Sequence, residues 1–415
     1  MAQADPYRQK MSMEKLSVHG FAFGGESVGR LENGKVCFLR GGIPGEELSV
    51  RITSEKKSYC RGELLEILQR SPFRLQEDDL PCPQGCPGCS YTHIPYALEL
   101  EWKEKIFRSF AEKARLEYAS AGEFLLAATG AGKVDSYRNK IRLSLEFPHG
   151  KESVRAGYRG EDNVTLLEIS DCPLAHPAIR ETLRSGIWKE TLRGTEKSVT
   201  FRRTEKDGCV FFFDKGDPSH ILTETLGDHG EFRVAENAFF QVNSFMSGVL
   251  AQKVADYVKK TDCTFMTELY CGCGCFSIVS AQQQESLHCL GIELENSSVK
   301  LAGENAIAHS VADRCSFLAG DSAKVFRRNF PRGLKKNSLL LVDPPRTGMD
   351  QKAVKLVAES NADFLIYVSC SPDTLFRDLV TLEKYGAYRV RESSVVDLFP
   401  RTGHFESITF CERIS

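Results

Sequence analysis

Residues 367–375 read YVSCSPDTL. A β-branched and aromatic run ends in Cys370, and Pro372 follows two places later. A thiol at such a strand-to-turn junction is either a small buried hydrophobe, which most cysteines are, or a nucleophile. Two further segments supply carboxylates. In LVDPPRTGMD (341–350) Asp343 closes an apolar run, and Pro344 and Pro345 stiffen the turn by fixing φ and removing N–H donors. An aromatic residue after D-P-P would stack on a base and suggest amino-group methylation, but Arg346 stands there. In DLFPRTGHFESITF (397–410) His404 and Glu406 precede another β run. One activated thiol and one base suit a particular reaction. Carbon 5 of uracil or cytosine is too weak a nucleophile to accept a methyl cation directly. A thiolate added at carbon 6 makes it enolate-like, and a base must afterwards remove its proton.

A cradle for the methyl donor is also legible. ELYCGCGCFSI (268–278) reads as a strand, then Gly272 and Gly274 in a turn, then a helix start. Glycines there let a ligand approach the backbone at the carboxyl end of a sheet. The third glycine of a dinucleotide fingerprint is missing. The next strand ends in Glu293, an acid suited to the two ribose hydroxyls, and a third strand precedes Asp321, which can accept from an adenine amino group. These points describe an adenosine site of the S-adenosylmethionine type, against the plainer alternative of a generic nucleotide fold with surface acids.

The elements that must position these groups change character along the chain. Residues 14–70 alternate short β runs with turns such as Glu32-Asn33-Gly34 and Gly41-Gly42-Ile43-Pro44-Gly45, which predicts an OB-like barrel. A helix is expected over about 95–118, and IRLSLEF, VRAGYRG, VTLLEIS, VTFRRT and CVFFF between 137 and 235 predict an antiparallel middle domain. From about 245, FMTELY, HCLGIEL, CSFLAG, SLLLVDPP, FLIYVSC and ESITF alternate with helical segments, as in a doubly wound α/β domain. The fold class expected is thus multidomain α/β: a barrel over 1–72, a middle domain over 73–235 and a Rossmann-like domain over 236–415, with the 95–118 helix packing on the last.

Composition excludes several classes. Of 415 residues 41% are hydrophobic and 27% charged, as in ordinary globular domains. No run approaches a membrane span, and the start, MAQADPYRQK, has no apolar core of a secretory signal. The cytoplasm is the expected compartment and a monomer the expected state. A net charge of -2 leaves nucleic-acid binding to local patches such as Lys56-Lys57, Arg61, the run 137–142 and Arg202-Arg203. Fifteen cysteines in a cytoplasmic chain suggest metal binding, catalysis or buried thiols. Cys82, Cys86 and Cys89 share a Pro/Gly-rich loop, and Cys172 stands alone some eighty residues on. Four thiolates can hold zinc or a 4Fe–4S cluster, and the solitary fourth ligand leans away from a zinc ribbon. Cysteines 37, 60, 209, 263, 271, 273, 289, 315 and 411 are expected as small buried hydrophobes.

Taken together, QVN (241–243), ELYCGCGCF, GIE, DPPRTG, YVSCSPDTLFRDL and DLFPRTGHFE resemble the RNA 5-methyluridine methyltransferase family over nearly the whole chain. The resemblance implies a TRAM-type barrel, an iron–sulfur middle domain and a methyltransferase domain. It implies Cys370 as nucleophile, Glu406 as base and Asp343 between cofactor and uracil. Gln241, Tyr270, Gly272, Gly274, Cys275, Glu293 and Asp321 would line the S-adenosylmethionine pocket with Asp343. Cys82, Cys86, Cys89 and Cys172 would hold 4Fe–4S, with zinc the less favoured metal. The substrate would be RNA with its target base flipped out, 23S ribosomal RNA first and transfer RNA second, and Phe399 and His404 are candidate stacking partners. Ser371 replaces the family's usual Asn, and Cys275 its usual Asn or Thr. Two alternatives stay open: a catalytically silent RNA-binding or assembly factor, and cytosine-5 methylation.

Overall fold

The computed structural model describes residues 13–76, 86–118, 120–160 and 162–414. They fall into two compact units. The first holds residues up to 76 together with 88–106 and 401–404. Its five strands are β1 (Met13–Phe21), β2 (Ser27–Leu31), β3 (Val36–Leu39), β4 (Glu47–Glu55) and β5 (Tyr59–Gln69), closed as a barrel in the order β1-β2-β3-β5-β4. Alternation puts Leu16, Val18, Leu31, Cys37, Leu39, Leu48, Val50 and Cys60 in one buried cluster, the inside of the pleat. Gly29 is required there, because a Cβ would lie 2.6 Å from the carbonyl of Ser17.

The second unit holds the rest. Helix α1 (Tyr96–Ala114) has residues in both units, and after it and α2 (Ala121–Phe124) come β6 (Lys140–Glu146), β7 (Arg155–Arg159), β8 (Leu166–Glu168), α3 (Pro177–Ser185), β9 (Ser198–Thr204) and β10 (Gly208–Phe213). These five strands form the antiparallel sheet β10-β9-β6-β7-β8, and β11 (Ile221–Thr225) with β12 (Glu231–Ala235) makes a separate hairpin. Both its strands are five residues long and carry charged residues, which is why the β pattern did not single them out.

Helix α4 (Ser244–Thr261) opens the alternating region. It continues through β13 (Phe265–Leu269), α5 (Cys275–Gln283), β14 (His288–Glu293), α6 (Asn296–Ala308), β15 (Cys315–Ala319), α7 (Ser322–Asn329), β16 (Ser338–Val342), α8 (Gln351–Glu359), β17 (Phe364–Ser369), α9 (Pro372–Lys384), β18 (Tyr388–Val396) and β19 (Glu406–Arg413). The seven-stranded sheet runs β15-β14-β13-β16-β17-β19-β18. The first five strands pair in parallel, and β19 is antiparallel to both β17 and β18. The central strands β16 (SLLLV) and β17 (FLIYVS) are apolar but for a serine at one end of each, as expected of strands covered on both faces. The order reverses beside β13, so the carboxyl ends of β13, β14, β16 and β17 open on one crevice, the usual ligand site of such sheets. No described helix is long and apolar enough to cross a membrane.

Candidate active site

The register of the sheet gathers three of the expected residues. Ser369 pairs with Ser407, so the next antiparallel pair in line is Cys370 and Glu406. The Ser407 hydroxyl donates to the Ser369 carbonyl at 3.0 Å and fastens the two strand ends. Val342 pairs with Tyr367 on the parallel side, which sets Asp343 at the same edge. The charges interact accordingly. Burial first, then Glu406, pushes the Cys370 thiol up to about 11, while Arg346 pulls it down and Asp343 pushes it further up. Glu406 is buried, and desolvation followed by Asp343 drives its carboxyl well above the ordinary range, opposed by Arg346. Burial alone raises Asp343 to about 7. Cys370, Glu406, Asp343 and Arg346 thus form one electrostatic group.

Ser371 begins the turn into α9. Its amide donates to the Ser369 hydroxyl at 3.1 Å, and its own hydroxyl donates to Asp373 at 2.6 Å. The serine is therefore spent within the turn beside the thiol.

The glycine turn is built as a cradle. Tyr270 has φ +67, an uncommon conformation for a large residue and one found where surrounding structure imposes it. Its hydroxyl is pushed up by burial and then by Asp350, Asp321 and Asp378. The two glycines differ. A Cβ on Gly274 would lie 2.8 Å from the Phe317 ring, so packing demands glycine there. A Cβ on Gly272 would meet nothing within 4 Å, so Gly272 borders open space. Glu293 accepts from the Gly272 amide at 3.1 Å and from the Glu295 amide at 3.0 Å, which ties the ends of β13 and β14 together. Asp321 caps α7 by accepting from the Lys324 amide at 2.9 Å. Cys275 starts α5 with its sulfur 3.5 Å from that of Cys273. Gln241 is half-buried, and its carbonyl accepts from the Asn139 side chain at 3.2 Å.

Sequence reasoning passed over Glu268. This carboxylate lies in β13 under the turn and accepts from the amide and hydroxyl of Ser277; burial pushes it up to about 8. An acid inside a strand buried on both faces was the available signal.

Known proteins bear on this geometry. The family model described as tRNA (uracil-5-)-methyltransferase matches residues 221–414, and the TRAM domain model matches residues 12–65. Residues 221–414 are thus similar to RNA (uracil-5-)-methyltransferases, and the chain along nearly its whole length to proteins named RNA methyltransferases. The enzyme is 26% identical to the 23S rRNA (uracil(1939)-C(5))-methyltransferase RlmD of Haemophilus influenzae over 91% of each chain. It is 27% identical to an uncharacterized RNA methyltransferase of Clostridium tetani over 96% of this chain and 97% of that one. In fold it is similar to the Pyrococcus abyssi tRNA (uracil-54, C5)-methyltransferase, with TM-score 0.72, 22% identity and coverage of 95% and 99%. The enzyme class is therefore S-adenosylmethionine-dependent RNA methylation at uracil carbon 5, and RNA is its substrate class.

The other expected residues of the enzyme meet different fates. Cys82 lies outside the described residues; Cys86 and Cys89 are half-buried and Cys172 is buried. The Tyr158 hydroxyl donates to the Cys172 sulfur at 3.8 Å, and burial, then Cys172, then more weakly Cys86 raise its pKa. Among the described residues no group of three His, Cys, Asp or Glu is arranged to hold a metal. The described thiols alone do not compose the expected cluster site. His404 makes an edge contact with the Phe23 ring, and Phe399 is half-buried. Of the nine remaining cysteines only Cys209 is not buried.

Three residues of the expected phosphate patches need correction. Arg202 is fully buried, pairs with Glu224 at 2.6 Å and donates to the Glu236 carbonyl at 2.8 Å, so it serves the middle sheet. Tyr137 and Asn139 are buried too, the first donating to the Pro400 carbonyl at 3.0 Å. The basic pattern read as surface because sequence carries no sign of the distant acceptors. Arg142, Lys56, Lys57 and Arg61 are exposed.

Proposed function

We propose that the enzyme methylates a uridine in RNA through a covalent adduct of Cys370 with uracil carbon 6. The observation that supports this is the sheet register that sets Cys370 across from Glu406 and Asp343 at the same edge of the sheet, with Arg346 acting on both the thiol and Glu406. S-adenosylmethionine supplies the methyl group as a cation equivalent. Cys370 adds as thiolate to carbon 6, and the carbon 5 so activated takes the methyl while its bond to sulfur breaks, leaving S-adenosylhomocysteine. Glu406 then takes the proton from carbon 5, and elimination of the Cys370 thiolate restores the double bond. A thiol near 11 is a poor nucleophile at neutral pH, so Arg346 is the local group that favours its ionised form. Glu406 must be ionised when it acts, and Arg346 favours that state too. Asp343 would contact both S-adenosylmethionine and the uracil. Tyr270, Gly272, Gly274, Cys275, Glu293, Asp321 and Gln241 line the cofactor cradle.

We assign the barrel, residues 1–72, to RNA binding, 73–235 to a middle domain and 236–415 to catalysis. Cys82, Cys86, Cys89 and Cys172 are the proposed ligands of a 4Fe–4S cluster that shapes the middle domain and takes no part in methyl transfer. The spacing of the four thiols supports this, and an absorbance near 400 nm with iron in the purified protein tests it against zinc.

The favoured target is 23S ribosomal RNA, because the Haemophilus relative named for that RNA matches along nearly its whole length. Mass spectrometry of ribosomal and transfer RNA from a strain lacking the gene tests the target. Loss of one or more 5-methyluridines from 23S RNA is expected. Loss confined to transfer RNA would transfer the same chemistry to that substrate, and no loss would contradict the proposal.

A further inference from the structure

We propose that Asp378, acting with Arg377, is the positioning residue that holds the loop bearing Asp343 and Arg346 against the strand end bearing Cys370. The proposal rests on the reading of Cys370 as nucleophile.

Asp378 lies on α9, two turns beyond Cys370, and is 1% exposed. Both its oxygens are committed. Oδ2 accepts from the Tyr367 hydroxyl at 2.8 Å and from the Met349 amide at 2.9 Å. Oδ1 accepts from Arg377 Nε at 2.9 Å and Nη2 at 2.8 Å. The same Nη2 donates to the carbonyls of Thr347 and Met349, each at 3.1 Å. Thr374 adds a hydroxyl bond to the Arg346 carbonyl at 3.3 Å. One carboxylate therefore joins three elements: β17 through Tyr367, the loop after β16 through Met349, and α9, on which it sits. Gly348, at φ +71, allows this approach, since a Cβ there would lie 2.5 Å from Arg377 Nη2 and 2.8 Å from the Thr374 Cβ.

Packing alone does not explain such a clamp. A buried carboxylate needs all its hydrogen bonds made, and an apolar side chain would fill the space without that requirement. What the charge adds is direction: it fixes loop backbone donors and carbonyls relative to the strand that ends in Cys370. Arg346 is the cation that acts on both the Cys370 thiol and Glu406. Its reach depends on the loop, and errors of about 1 Å in such placements cost on the order of 10²-fold in rate.

The test uses the purified full chain, with Asp378→Asn and Tyr367→Phe compared with wild type. The groups that face Cys370 are Glu406 from β19 and Arg346 and Asp343 from the loop after β16. If the clamp loosens, Arg346 withdraws and the thiol loses the neighbour that pulls it down. The expected result for Asp378→Asn is a kcat lower by about 10- to 100-fold with KM for S-adenosylmethionine changed by less than about threefold. The pH profile of Cys370 alkylation, read by mass spectrometry of its peptide, should move to higher pH. Tyr367→Phe should move both quantities the same way by less, and it serves alone if Asp378→Asn does not fold. A folded variant with wild-type kcat would overturn the proposal. So would a fall in kcat with an unmoved alkylation profile, which is what general loosening gives. Cys370→Ala separates the two readings: methylation surviving that change refutes the nucleophile, whereas its loss beside an unaltered Asp378→Asn refutes only the clamp.

Discussion

Glu46 in the barrel and Glu406 at the edge of the parallel sheet are both buried carboxylates, and their surroundings push them in opposite directions. Glu46 receives from Arg74 at 2.7 and 2.6 Å and from the amides of Ile43 and Ser71 at 2.9 and 3.2 Å. Burial pushes its carboxyl up, but these bonds more than offset it and hold the group below its ordinary value. Glu406 is raised instead, because desolvation and Asp343 outweigh Arg346. Neutralising partners make Glu46 a structural tie, locked in its charged form. Their scarcity leaves Glu406 able to change protonation state, which a base must do.

The contrast can be broken from the catalytic side first. Cys370→Ala should lower methyl transfer by at least about 10³-fold while leaving the folded state intact, measured as radiolabelled methyl entering RNA. Glu406→Gln should slow turnover by about 10²- to 10⁴-fold. Because proton removal follows methyl transfer, this variant should accumulate a methylated covalent complex with ordinary RNA, visible as a band of retarded mobility on denaturing gels. Substitution on the structural side should act on stability instead. Glu46→Ala strands Arg74 and should cost about 3–5 kcal/mol of unfolding free energy in denaturant titrations.

The smallest effect sharpens the comparison through pH. Burial raises Glu268 to about 8 from an ordinary value near 4.5. Between those values the folded state binds the proton and the unfolded state does not, so this group's contribution to stability falls as pH rises. Glu268→Gln removes the penalty. Its thermal midpoint should gain on wild type progressively from pH 5 to 8 and level off above. An equal gap at every pH would place the Glu268 effect in packing.

How much of this was legible in the chain varied with the range of the interactions. Cys370, Asp343 and Gly272 stand at ends of apolar runs, and local pattern suffices to put them at strand edges. Glu406 needed the antiparallel return of β19, which the run ESITF announced without giving its direction. Strand β18 was hidden because its Arg, Glu and Ser residues interrupt the apolar alternation. Arg202 and Asp378 were misjudged or missed for one reason: their partners, Glu224 in one case and Met349 and Tyr367 in the other, are set by tertiary packing. A buried charge reads like a surface one until its partner is known.

The central claim is that the Cys370 sulfur bonds to uracil carbon 6. RNA carrying 5-fluorouridine at the target position tests it most directly, because Glu406 cannot remove fluorine from carbon 5. The expected product is a protein–RNA complex that survives denaturation, carries the transferred methyl group and yields a cross-linked peptide containing Cys370. Methylation of ordinary RNA without any such complex, or a complex through another cysteine, would contradict it.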